Sequence, residues 1–102
     1  MNEYLASLER DLALIEGGFK EEERRACRDY DSHDREQALE IAYGAYRSEV
    51  YQVRMYAIFL FGYLSQDQEV LTFLRENVAQ DDNWRVQEIL AKAFDVFCAT
   101  TG

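Results

Sequence analysis

One stretch of this chain repeats another. The segment opening at Tyr51 realigns with the segment opening at Asn83-Trp84 when the chain is shifted by 33 positions. Val53 then falls on Val86, Ala57 on Leu90, Leu60 on Ala93, Phe61 on Phe94 and Leu64 on Phe97, and every pair is apolar. The period is that of helical repeat units. Such a unit does not bury its apolar stripe alone; a neighbouring helix pair has to cover it. The repeat therefore predicts an all-α stack of five to six helices in antiparallel pairs, with the helices of Tyr51 and Trp84 in one layer.

The chain of 102 residues allows one domain, 1–102, with a small core. Leu5, Leu8, Leu12 and Ile15 share one helical face and predict a helix from Asn2 to Ile15, stopped by Gly17-Gly18. A polar helix is expected over 20–30. Its run Glu21-Glu22-Glu23-Arg24-Arg25 reads either as an interaction face or as a solvated face laced with pairs three and four apart. Asp34 with Gln37 has the form of a capping box for a third helix reaching Ser48. A fourth, over 51–64, is apolar around its circumference, which implies burial on more than one side. Ser65 with Gln68 is expected to cap a fifth, in which Val70, Leu71, Leu74 and Val78 face inward. The turn 80–83 offers several N-caps for the sixth. No stretch alternates with period two long enough to make a sheet.

Twenty acids against eleven bases give a net charge of −9. That balance disfavours a protein whose whole surface binds nucleic acid, since displacing counterions takes a basic face. No 18-residue apolar run is present, so no membrane span is expected. The start, Met1-Asn2-Glu3-Tyr4-Leu5, lacks the basic-then-apolar order of a signal peptide, so a cytoplasmic location is expected. Cys27 and Cys98 lie far apart and form no ligand motif; a reduced pair is the expectation, with no metal and no cofactor.

Asn83-Trp84-Arg85-Val86-Gln87-Glu88-Ile89-Leu90-Ala91-Lys92-Ala93-Phe94-Asp95 resembles a segment of the DNA alkylation repair proteins built from HEAT-like repeats, the alkylpurine glycosylase type. Gln52-Val53-Arg54-Met55-Tyr56-Ala57 with Leu60-Phe61-Gly62-Tyr63-Leu64 is similar to the preceding repeat. The resemblance covers 34–98. It implies an armadillo-like helical superhelix about twice this length, whose concave basic surface cradles duplex DNA and in some members excises alkylated bases. On that reading the chain is the N-terminal half, or a shortened form, of a longer solenoid. The family's pocket tryptophan and the aspartate four residues on would match Trp84 and Glu88, so the acid here is a glutamate.

Those residues carry two readings each. Trp84 would stack on a sugar or base across a groove, or wedge between repeats. Glu88, one turn on, would stabilise developing cationic charge as the catalytic carboxylate, or stand as a solvated surface acid. Arg54 and Arg85 would contact DNA phosphates, or pair with Asp81, Asp82 or Glu88. Asp95 is expected to tie repeats together through Lys92 or Arg54, and His33 to be a surface histidine in a turn. The tyrosines are expected to seal seams between repeats. Ile89, Phe94 and Phe97 give the last helix an interior character, so a homodimer through the C-terminal helices is expected. Two functions follow: a non-catalytic scaffold or interaction module, with a protein partner or duplex DNA; or a DNA-binding base-excision protein acting on alkylated purines.

Overall fold

The computed structural model describes residues 2–101, with side chains for residues 3–92. Six α-helices follow one another: α1 (Asn2–Leu12), α2 (Lys20–Ser32), α3 (Arg35–Tyr46), α4 (Tyr51–Tyr63), α5 (Gln68–Glu76) and α6 (Trp84–Thr101). A 3-10 turn over Val78–Gln80 sits between the last two, and the described residues include no strand. The all-α architecture expected from the repeat is the one that forms.

Most boundaries have a visible local cause. α1 ends at Leu12, three residues short of the expected Ile15. The Gln52 side-chain amide donates to the carbonyls of Ala13, at 3.5 Å, and Ile15, at 3.0 Å, which holds the chain just beyond the helix end. Gly17 and Gly18 then take φ of 77° and 70°, a region that favours glycine. α2 runs on to Ser32, two residues beyond expectation, and stops where His33 turns extended. The Asp34–Gln37 capping box forms in both directions, at 2.8 and 3.2 Å. The expected Ser65 cap does not form. Asp67 caps α5 instead, accepting the Glu69 amide at 2.9 Å. A carboxylate directly beside the first turn satisfies the free amides better than a hydroxyl three residues before it.

α4 is the hub. Eight of its thirteen residues are buried, as an apolar circumference requires. It packs against α2, α3 and α6. Val53 and Val86, the aligned valines of the repeat, are both fully buried, and Ala57 and Leu90 are buried as well. The aligned Ala93, Phe94 and Phe97 lie outside the described side chains. α5 leans on the 3-10 turn, where Val78 is buried; Leu71 is only partly so. Tyr43, Phe61 and Phe73 meet with centroids 4.9–5.3 Å apart and seal the seam of α3, α4 and α5. α1 approaches α3 at Gly44, where a Cβ would stand 2.8 Å from the Leu5 Cδ1.

A buried carboxylate joins the first two helices to the hub. Asp29 accepts the Tyr4 hydroxyl at 2.5 Å and the Tyr56 hydroxyl at 2.6 Å, with Arg25 Nε at 3.6 Å. Burial, and then the bond to Asp29, raises both hydroxyls' pKa values, so they stay protonated donors.

Candidate functional site

α6 opens on side chains that face water. Trp84 is 66% exposed. The Arg85 guanidinium lies 4.9 Å from a Trp84 ring centroid and 5.8 Å from that of Tyr51, so it stacks beside both aromatics. The contact also sets the N-terminal ends of α4 and α6 side by side. Glu88 follows one turn after Trp84 on the same side of the helix and is exposed. Among the described residues it has no hydrogen-bond or ion-pair partner. One turn further, the Lys92 ammonium stands 4.9 Å from the Phe19 ring centroid and connects this face to the start of α2.

The turn that launches α6 is held from three helices. Asn83 caps α6, its Oδ1 accepting the Arg85 amide at 2.9 Å. Asp81 in turn accepts the Asn83 amide at 2.9 Å and the Tyr46 hydroxyl at 2.6 Å. Arg54 grips both carboxylate oxygens of Asp81, from Nε at 3.1 Å and Nη2 at 3.3 Å, and donates to the Ser48 carbonyl at 2.9 Å. The Gln87 side-chain amide donates to the Asp81 carbonyl. Burial alone would push the Asp81 carboxyl up. The Tyr46 hydroxyl, the Asn83 amide and the Arg54 guanidinium outweigh it and hold the group below its usual range. The Tyr46 hydroxyl is raised, first by burial and then by the carboxylate it bonds.

Arg54 therefore does not join Arg85 on the open face. Its ion-pair reading is the arrangement found: Asp81 is the main partner, with Asp82 at 3.8 Å. This bidentate grip leaves no free guanidinium edge for a phosphate without breaking a half-buried pair. The Trp84 wedge reading is not the arrangement found either, since the indole projects into solvent. Asp95 lies outside the described side chains. Lys92 is placed on Phe19 and Arg54 on Asp81. His33 Nδ1 lies 2.8 Å from the Asp29 carbonyl, a partly buried bond that requires the proton on Nδ1. The described residues contain no cluster of three or more potential metal ligands.

The fold recurs in solved proteins. The crystal structure of AlkD2 from Streptococcus mutans superposes with a TM-score of 0.95 at 61% identity, over 99% of this chain and 49% of that one. The chain belongs to the DNA alkylation repair proteins built from HEAT-like repeats. A second solved structure, smu.31 from Streptococcus mutans UA159, gives a TM-score of 0.90 at 57% identity, over 98% of this chain and 47% of that one. The chain thus spans about half the length of the solved relatives it matches. No family model matches it, and no curated protein does.

Within this family frame, sequence reasoning placed Trp84, Arg85 and Glu88 on one helix start, and all three gather there. It missed Tyr51 as the second ring beside Arg85. The signal was present: the shift of 33 that aligns Val53 with Val86 also sets Tyr51 on Trp84, so both repeats open on an aromatic. No described helix is long and apolar enough to cross a membrane.

Proposed function

We propose that this chain is a non-catalytic interaction module of the alkylation repair family, engaging its partner through the face where Trp84 is exposed and Arg85 and Tyr51 lie half-buried beside it. The fate of Arg54 supports this most directly. Of the two arginines at the repeat starts, one is consumed by Asp81, and the other stacks between two rings. That leaves Arg85 as the one repeat-start arginine able to reach a phosphate, and a single such contact on a chain of net charge −9 releases few counterions from duplex DNA. Stabilising an oxocarbenium-like charge takes a carboxylate held in a water-excluded site. Glu88 is exposed to solvent. The reading takes the cytoplasm as its compartment, in keeping with the unpaired Cys27 thiol.

The second reading, base excision on alkylated purines, has one observation in its favour. Trp84 and Glu88 stand one turn apart on an open face, an aromatic and an acid at the spacing that the family resemblance assigns to the pocket. Two assays separate the readings. The interaction module binds duplex DNA weakly at most and releases no alkylated purine. Binding that weakens steeply with salt, and is lost in Trp84→Ala or Arg85→Ala, overturns it. Purine release that depends on Glu88 establishes the enzyme.

A further inference from the structure

The outward face of α2 takes no part in the site above. Lys20, Arg24, Cys27 and Asp31 recur at spacings of four, three and four and so form one seam along the helix. The buried residues of the helix, Glu22, Ala26 and Asp29, occupy the opposite side. Phe19 and Tyr63 border an open trough of about 620 Å³ over this seam. Among the described residues neither Lys20 nor Arg28 makes an ion pair, while Arg24 turns back to Glu21 at 3.0 Å.

The charges along this face are balanced on a chain that is otherwise acidic. Lys20, Arg24 and Arg28 stand against Glu21, Glu23 and Asp31, whereas the whole chain carries −9. Two copies meeting here avoid the repulsion that the rest of the surface imposes. The order of charges is also self-complementary. Suppose two α2 helices lie antiparallel, with the two-fold axis level with the midpoint between Arg25 and Ala26. Residue numbers at the same level then sum to 51, because 25 + 26 = 51. Lys20 stands level with Asp31 of the second copy, and Asp31 with Lys20. Arg28 comes within reach of Glu21 of the second copy on the same flank. Cys27 and Arg24 of each copy fall equally close to the axis, where each Arg24 charge is offset by its own Glu21 at 3.0 Å. An isologous interface requires this reciprocity.

We infer that the outward face of α2 is a self-association surface, on which a second copy of this chain docks antiparallel through reciprocal Lys20–Asp31 contacts. The association is loose and reversible, because exposed ion pairs contribute little each and the seam carries little apolar area. It is independent of the Trp84 face and of any pairing through α6.

Charge exchange tests it. Lys20→Asp places an acid in the first turn of α2, and Asp31→Lys a base in the last; both suit the helix dipole, so the fold is not put at risk. In sedimentation equilibrium at high protein concentration, the wild-type chain forms a reversible dimer, Lys20→Asp is monomeric, and Lys20→Asp with Asp31→Lys dimerises again. In a Cys98→Ser background, a short bismaleimide joins two copies through Cys27 in the dimerising variants only. A wild-type chain that stays monomeric overturns the proposal. So does a dimer indifferent to Lys20→Asp, which places the contact on another face. A double variant that keeps its helical circular dichroism yet does not re-associate overturns it equally.

Discussion

Glu22 is the residue whose surroundings fit it least. It is fully buried on α2, one carboxyl oxygen has no partner, and its own backbone amide is the only hydrogen bond acting on its acidity. Burial raises its pKa above the ordinary 4.5, with the neighbouring Glu21 charge adding to the effect. In the unfolded chain the group ionises at its ordinary value, before it does in the native state. Its contribution to stability is therefore fully present below the unfolded value and is lost as pH rises through the native one. Glu22→Leu is expected to stabilise the protein at neutral pH by about 1–3 kcal/mol, the usual cost of a buried unpaired polar group. Glu22→Gln should flatten the fall in stability as pH rises above 4.5. Denaturant unfolding over that range checks both; a variant less stable than the parent, with the slope retained, refutes the account. The sequence did not reveal this burial. Glu22 sits inside Glu21-Glu22-Glu23-Arg24-Arg25, a run whose composition describes a solvated face. Only the angular position of α2 against α4 decides which of the three glutamates points inward, and a polar helix carries too few apolar markers to fix that angle.

At the level of elements, the network around Asp81 does for the later helices what Asp29 does for the first two. It links α3 through Tyr46, α4 through Arg54 and the start of α6 through Asn83, and so sets where Trp84 and Arg85 emerge. Removing one member of such a pair leaves the other charge stranded. For fully buried pairs that costs about 3–5 kcal/mol. Arg54 keeps some contact with water, its side chain being 14% exposed, so Arg54→Ala is expected to cost about 2–3 kcal/mol in chemical unfolding, less than the buried range. The lowered Asp81 pKa gives the opposite pH sign to Glu22. Its stabilising contribution is present at neutral pH and is lost as acid drives pH down through the native value, below 3.8. Asp81→Asn should therefore lose stability at pH 7 and little in strong acid. Gly44 tests a different kind of contact. Alanine there gains about 1 kcal/mol of helix propensity but meets the mobile end of Leu5, so Gly44→Ala should be near neutral and Gly44→Val destabilising by about 1–3 kcal/mol in the same assay. Element types and most starts were legible because apolar spacing and capping side chains are local. The Asp34–Gln37 box is the clearest case. The Asp67 cap and the early end of α1 were missed. The first is a choice between two nearby capping side chains, and the second depends on Gln52, which is distant in sequence.

At the level of the molecule, the repeat reading and the contacts lead to different expectations for unfolding. Repeat stacks contact only neighbours and can open unit by unit. Here α4 touches α2, α3 and α6 at once, and the two carboxylate nodes bind it from both sides: Asp29 through Tyr56, and Asp81 through Arg54. Opening the α6 flank strands the Arg54 charge on the hub, and opening the α2 flank leaves the Asp29 carboxylate and the Tyr56 hydroxyl without each other, which costs more than the loss of exposed contacts. The described part of the chain should therefore unfold in a single cooperative transition despite its repeat origin. Helical circular dichroism reports the whole fold, and the fluorescence of Trp84, the only tryptophan, reports the start of α6. Their denaturant midpoints are expected to coincide in the parent and to shift together in Phe61→Ala, which removes a fully buried ring from the hub at a cost of about 3–5 kcal/mol. In Arg54→Ala the tie between α4 and the α6 turn is cut while the packing of α4 on α2 and α3 is untouched. There the Trp84 midpoint should fall below that of the helical signal. Coincident midpoints in Arg54→Ala would mean that apolar packing alone couples α6 to the hub, and that the Asp81 node positions Trp84 without holding the repeats together.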